Sequence, residues 1–396
     1  MSNTLSSDLK PIVIGASQQT LRESAAMTAR ANMNGALQQG QVLSGNLGQE
    51  LNVGVPAALS ASSESAGTTA PSPTDVNISS RTVTLNKFYS STPFAFTGRE
   101  SQEYDLRSVF IQQVQEAVRA VVYQMNSDMN ALYIKVPNGV GTAGTGFFAS
   151  NSQGLADLNK RLFDLKVPLE GRDLVLSGKD YQALEKLTEL YKVNEAGSAQ
   201  VRTTGIVPQL NGFNIWRDQQ ITTHTTGTIT LSPTVGSAGA AYKAESIPVD
   251  CGTGAAVALK QGDLITFSEN TAYTYAVKAD VSITAGNSGT VTIYHGLKEA
   301  VTSSSTVALL TGHGTSLISI GGQLKGFTIV NRMPARQIFG VTPLGDATPI
   351  VDQVSGMGLL LIAYPGKHQA IYQVVGLYGM DVTDENRLCR VYSYSS

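Results

Sequence analysis

One long apolar stripe constrains this chain more than any other feature. From Leu106 onward, Val109, Phe110, Val114, Val118, Val121, Val122, Met125, Met129 and Leu132 recur at three- and four-residue spacing, which lays them along one side of an α-helix. Thr97 and Glu100 stand at capping-box spacing ahead of the stripe, and Pro137 with Gly139 stops it. The spacing predicts a helix over roughly 101–135, ~50 Å long at 1.5 Å per residue. The stripe keeps no strict heptad, and the opposite side, with Gln112, Gln115, Arg119 and Asn126, is polar but nearly uncharged. Such a helix is expected to pack one side on a sheet of its own domain rather than in a coiled coil.

The 75 residues at the start carry one helical pattern, Thr20 to Asn34, and then a Gly-, Ser-, Ala- and Pro-rich stretch ending in ESAGTTAPSPTD. With so few large apolar side chains to repay the entropy of ordering, this region is expected to be an arm or a linker. RTVTLNKFYSSTPFAF (81–96) alternates at the strand period through Val83, Leu85, Phe94 and Phe96, and reads as a long hairpin around a polar turn. Beyond the long helix, Leu155, Leu158 and Leu162 mark a helix and RDLVLS (172–177) a strand. Ser177 and Asp180 form a second capping box ahead of a helix with Leu184, Leu187 and Tyr191 that runs to Gly197, and FNIWRDQQI returns as a strand. A compact α+β unit is expected there. From 222 to 313 the texture changes to short β runs (TGTITLS, AAVALKQGDLITF, AYTYAVK, DVSITA, SGTVTIYHGL) between turn residues. This predicts a small barrel or sandwich that folds on its own, inserted because mixed character resumes at SLISIGGQLKGFTIVNR. The closing GLLLIAYP, HQAIYQVVGLYGM and NRLCRVYSY read as long strands available to the hairpin and the sheet.

Composition matters for what it excludes. Lys and Arg total 28 against 30 Asp and Glu, so there is no basic field of the kind that drives nonspecific nucleic-acid binding. Cys251 and Cys389 lie far apart, which implies neither a disulfide framework nor a cysteine zinc site, and a reducing cytosol is the expected place of synthesis. The opening MSNTLSSDLKPIVIGAS does not read as a secretory signal, and no apolar run approaches the ~20 residues of a membrane helix. Gly139-x-Gly141-x-x-Gly144 matches the dinucleotide fingerprint by letter, but a helix precedes it and TGFFAS follows, so it reads as a flexible loop. His224, His295, His313 and His368 are scattered and read as surface or turn histidines rather than metal ligands. Asp381, Asp384 and Glu385 read as a solvated turn, and Trp216 as a core residue. There is no P-loop and no G-x-S-x-G elbow. No catalytic residue, cofactor or metal is expected. Arms and hairpins that do not bury their apolar residues in their own chain must bury them on a neighbour, which points to assembly.

The order of these parts carries a resemblance. RTVTLNKFYSSTPFAFTGRE, DLRSVFIQQVQEAVRAVVYQMNSDMNALYIKV, VPLEGRDLVLSG, VPQLNGFNIWRDQQI and HQAIYQVVGLYGMDVTDENRLCRV, in that order, resemble the major capsid proteins of tailed bacteriophages with the Hong Kong 97-like fold. AVALKQGDLITF, TYAVKADVSIT and GTVTIYHGLKEAV are similar to the inserted β domain of the podovirus-type branch. The resemblance implies an α+β fold with an N-terminal arm (1–75), an extended loop or E-loop (76–100), and the spine helix of a peripheral domain (101–137). An axial domain (138–221 and 314–335) would follow, interrupted by a β-barrel-like domain (222–313), with closing strands over 336–396. It implies a shell subunit that assembles with itself as hexamers and pentamers into an icosahedral virion head, with packaged double-stranded DNA as enclosed cargo and no membrane. A scaffolding protein, a portal and a decoration protein are the further partners it brings. The E-loop of that family lies over an adjacent subunit. Arg81, Lys87, Arg99 and Glu100 are therefore candidates for inter-subunit ion pairs, ~0.2–1 kcal/mol each when exposed, and Phe94 and Phe96 for apolar contacts. The lysine–asparagine cross-link of some relatives is not carried over, because nothing identifies a partner for Lys87. Two other classes stay open: another β-rich phage assembly protein, such as a tail-tube or adhesin component, and a nucleotide-dependent enzyme resting on the Gly139 loop.

Overall fold

The structure is a computed structural model that describes residues 9–24, 27–33, 44–45, 47–55, 79–100, 106–149, 151–187, 190, 207, 209–334, 346–352 and 356–394. The chain divides into two compact units: Met1–Arg22, Asn32–Val121 and Phe327–Thr383 form the first, and Glu23–Ala31, Val122–Gly326 and Asp384–Ser396 the second.

The first unit is organised by the strand Gln369–Val382, whose 14 residues give it room for several neighbours. Phe327–Pro334 and Gly358–Gly366 both pair with it antiparallel, Asp346–Val351 extends the sheet beyond Gly358–Gly366, and Asn32–Met33 and Ser44–Gly45 add parallel to Phe327–Pro334. Lys87–Ser90 and Phe94–Thr97 do not form the expected hairpin with each other. Both run antiparallel to Gln369–Val382, one after the other along it. Between them Ser91 exchanges bonds with Val374, its N–H donating to the Val374 carbonyl at 2.8 Å and its Oγ accepting from the Val374 N–H at 3.0 Å, so the chain steps along one neighbour without turning back. The two-stranded ribbon that does form joins Glu50–Val55 to Ser79–Thr84. Leu51, Val53, Val83 and Leu85 line its inner face against Val330 and Leu377, while Asn52 and Thr82 face outward.

The helix expected over 20–34 lies earlier, at Leu9–Ser24, and is followed by a 3₁₀ turn at Thr28–Arg30. Val13, Ser17, Thr20 and Leu21 form its buried face, a helical spacing, and Pro11 sits in the first turn, where a missing N–H is tolerated. Gln18 donates to the Val351 carbonyl at 2.6 Å and Gln115 to that of Ala16 at 3.3 Å. This leading segment thus packs on its own unit and is not a free arm; the rest of 1–75 apart from 27–33, 44–45 and 47–55 lies outside the described residues. The long helix covers Leu106–Ala131, ~39 Å, and tightens into a 3₁₀ turn at Leu132–Lys135. Helix and turn together reach residue 135, where the stripe predicts the end, and 101–105 lie outside the described residues. The stripe is buried from Phe110 to Met129, with Val109 left at 43% exposure. Thr97 and Glu100 make the reciprocal capping box: Glu100 Oε2 accepts from the Thr97 N–H at 2.8 Å, and Thr97 Oγ1 accepts from the Glu100 N–H at 3.4 Å.

The second unit is built on a sheet ordered Gly139–Gly141, Leu388–Tyr392, Ser316–Gly322, Arg172–Leu176, Phe213–Arg217, Gln209–Leu210. The Gly139 segment is thus a strand, parallel to Leu388–Tyr392, and not a flexible loop. Gly141 is needed there: its φ is +97°, and a Cβ would come within 2.6 Å of the Tyr392 carbonyl. Gln153–Asp164 buries Leu155, Leu158 and Leu162 in the core, and Gly178–Glu185 starts on the Ser177 cap but ends well short of Gly197. Most of 188–206, including Tyr191, lies outside the described residues. Between Thr228 and Leu309 three three-stranded sheets surround a core of their own, with Ile247, Val249, Ile265, Phe267, Val277, Val291 and Ile293 at its centre. Thr223–His224 pairs with Ser316–Leu317, so this β stretch leaves and rejoins the sheet at one place.

Candidate functional site

The residues expected to touch a neighbouring copy divide by face. On Phe94–Thr97 the two phenylalanines share one side, and both pack within their own unit: Phe94 stacks on Tyr372 at 5.8 Å, Phe96 meets Phe110 edge-on at 6.1 Å, and Phe110 meets Tyr372 at 4.7 Å. Both are half-buried at home. Phe88, on the outward face of Lys87–Ser90, is the exposed aromatic of this stretch at 52%. Glu100 is engaged by Thr97, whose backbone N–H and hydroxyl hold its carboxyl below the usual range. Arg81 lies on the ribbon opposite Val53. Lys87 Nζ lies 5.9 Å from the Tyr89 ring, and Arg99 is exposed. Trp216 is a surface residue rather than a core one: the Arg30 guanidinium lies 3.3 Å over its ring, and its Nε1 donates to Asp173 at 3.0 Å.

The constellation that spacing did not disclose lies in the second unit. His224, in the strand before the β stretch, and His313, just after it, meet Asp263 from a turn in its middle. Both Nε2 atoms lie 2.9 Å from Asp263 Oδ1, while Oδ2 accepts the N–H groups of Lys260 at 2.7 Å and Gly227 at 3.0 Å. Outside this core, the Tyr133 hydroxyl reaches His224 Nδ1 at 3.0 Å and the Tyr392 hydroxyl reaches His313 Nδ1 at 2.9 Å. Arg390, on the same strand as Tyr392, is fully buried and donates to the carbonyls of Ile134, Val136 and Gly262. Its guanidinium lies 5.4 Å from the Tyr133 ring. Burial works against ionising Asp263 but is outweighed by the bonds from His224, His313 and the Lys260 N–H, which hold the carboxyl well below its usual range. Burial also pushes His313 down, with Arg390 acting the same way and Asp263 against it. Two histidines bracketing a β stretch and an Asp in a Gly-Asp turn inside it were the only sequence signal of this meeting.

The same three residues bring their ligand atoms within 4.8 Å of one another, as a metal site would. The geometry is that of hydrogen bonds instead. Tetrahedral zinc keeps its donors about 3.3 Å apart, whereas here each imidazole sits at N–H···O distance from one shared oxygen, with a guanidinium charge beside it.

No family model matches the chain, and no curated protein matches it. Solved phage structures are what the fold is similar to. One from Mycobacterium phage Che8 is 9% identical over 92% of this chain and 96% of that one, with a TM-score of 0.46. The capsid structure of cyanophage P-SCSP1u is 10% identical over 91% and 93%, also at 0.46. The asymmetric unit of the mature capsid of bacteriophage PhiM1 is 11% identical over 92% and 86%, at 0.45. At TM-scores below 0.5 these likenesses decide nothing about what the chain does.

Proposed function

We propose that this chain is a major capsid protein, a structural subunit and not an enzyme, that self-assembles as hexamers and pentamers into the icosahedral head of a phage virion around packaged double-stranded DNA. The observation that carries the reading is the ribbon Glu50–Val55/Ser79–Thr84. Among the described strands neither member joins a third, and a ribbon of two strands is marginal in water without further neighbours. Its inner face is seated at home, so what asks for a partner is its edges rather than its apolar side chains. It stands ahead of a ~39 Å helix, as the E-loop stands ahead of the spine helix in the family the sequence resembles. The sheet and β stretch of the second unit follow in the order that family has. A scaffolding protein, a portal and a decoration protein are the further partners this reading brings.

Electron microscopy of the purified chain, with and without a co-expressed scaffold, tests it. Closed shells are the expected product. Tubes or fibres would instead favour a tail-tube or adhesin component, and a chain that stays monomeric under both conditions would end the capsid reading.

A further inference from the structure

The Tyr133–His224–Asp263–His313–Tyr392 chain allows one arrangement of protons. Asp263 is an anion that lies 2.9 Å from both Nε2 atoms, nearer than the Leu264 N–H that approaches His313 Nε2 at 3.4 Å, so each Nε2 carries its hydrogen toward the carboxylate. Each Nδ1 is then a bare acceptor, and the two tyrosine hydroxyls donate to them. The single negative charge of Asp263 is balanced by Arg390. Every polar atom of the chain has a partner, and the imidazole and carboxylate side chains are at most 2% exposed. A proton added to either Nδ1 sets an N–H against a tyrosine O–H and leaves one uncompensated positive charge where water does not reach.

The position of the network gives this chemistry a consequence. His224 and His313 flank the β stretch on its two sides, Asp263 belongs to it, and Tyr133 and Tyr392 belong to the end of the long helix and the closing strand. We propose that these five residues form an acid-sensitive latch that seats the β stretch Thr228–Leu309 on the remainder of its compact unit, closed while both imidazoles are neutral and loosened when either takes a proton. The inference stands independently of the capsid reading.

The groups facing the imidazoles are Tyr133 from the 3₁₀ turn, Arg390 and Tyr392 from the closing strand, Asp263 from the turn, and each other, with ring centroids 5.1 Å apart. Lys260, beside Asp263 in sequence, turns its amine to Asp280 at 3.0 Å. The sign follows from His313, which burial pushes below its ordinary range: the unfolded chain binds more protons than the folded one near pH 6.5, so stability is present above that pH and is lost on acidification. His295 sits at the same seat, its Nε2 3.0 Å from the Lys135 carbonyl and its Nδ1 4.0 Å from Glu385.

The chain has only four histidines, so imidazole nitrogen NMR on the dilute full-length protein resolves them. At pH 7.5 two should appear as neutral Nε2–H tautomers. An Nδ1–H tautomer or an imidazolium at either His224 or His313 at pH 7.5 would overturn the latch. Hydrogen exchange, corrected for intrinsic rate, should show protection of 222–226 and 310–316 falling at least tenfold between pH 7.5 and 5.5. In the double variant His224→Gln/His313→Gln, whose amides can donate to Asp263 and accept from the tyrosines but do not titrate, that fall should vanish. Identical pH profiles for the two proteins would refute the proposal. Tyr392→Phe removes the O–H that opposes the incoming proton and should move the loosening to higher pH; if the double variant does not fold, an unmoved midpoint in Tyr392→Phe refutes it instead.

Discussion

Arg390 shows how much a single residue can organise. Its guanidinium takes up the carbonyls of Ile134 and Val136, where the long helix ends and its own acceptors run out, and that of Gly262 in the turn carrying Asp263. A cation suits the negative end of a helix, and here it also offsets the one carboxylate of the histidine network. In Arg390→Met three buried carbonyls lose their donor and Asp263 its balancing charge, so at ~1–3 kcal/mol for each orphaned carbonyl the loss should be at least ~3 kcal/mol in urea unfolding. Arg390→Lys should behave more like the methionine variant than like the parent, because one ammonium does not span three diverging acceptors. A lysine variant of parental stability would show that the charge, not the fork, is what matters. None of this was legible in the sequence: NRLCRVYSY reads as a strand, and nothing local says that its second arginine points inward.

At the scale of elements, what the sequence made plain is what local periodicity determines. The apolar stripe locates the long helix because spacing of three and four residues needs no knowledge of what the stripe packs on. Both capping boxes are likewise local, and both form. At Ser177 the side-chain oxygen accepts from the Asp180 N–H at 3.2 Å and its O–H donates to the buried Asp180 carboxyl at 2.8 Å, so Ser177→Ala should cost ~1–2 kcal/mol in chemical denaturation, and Ser177→Asp, which sets a second carboxylate against Asp180, should cost more. Pairing is different, because a strand's partner lies elsewhere in the chain. Ser79–Thr84 finds Glu50–Val55, and Lys87–Ser90 and Phe94–Thr97 find Gln369–Val382, so the alternation read in 81–96 was real while the hairpin drawn from it was not. The base of the ribbon depends on Gly379, where a Cβ would fall 2.2 Å from the Thr84 carbonyl. Gly379→Ala must therefore push the ribbon off the long strand, at a cost of ~1–3 kcal/mol. Limited proteolysis between Val55 and Ser79 should quicken in this variant relative to the parent; equal cleavage rates would mean that the ribbon is held from elsewhere.

For the molecule as a whole, assembly must draw on surfaces that the fold does not already use. The leading helix and the 87–97 strands are seated on the first unit, so cutting the chain at Phe88–Thr92 would break a sheet and say little about neighbours. The ribbon is the part whose loss should separate folding from assembly. Val53 and Arg81 are the outermost pair that its inner face needs, so replacing 54–80 with Asn-Gly shortens the ribbon edges and closes a two-residue hairpin without disturbing the Leu51, Val53, Val83 and Leu85 face below. This variant should keep the circular dichroism and thermal midpoint of the parent, since no buried residue among the described ones is touched, yet form no closed shells under conditions where the parent does. Each missing inter-subunit contact is worth little alone, but a closed shell repeats it at every interface, so a local loss becomes a failure of the whole assembly. Shells that form normally from the shortened chain would place the decisive contact elsewhere, and the exposed face around Phe88 would be next to test.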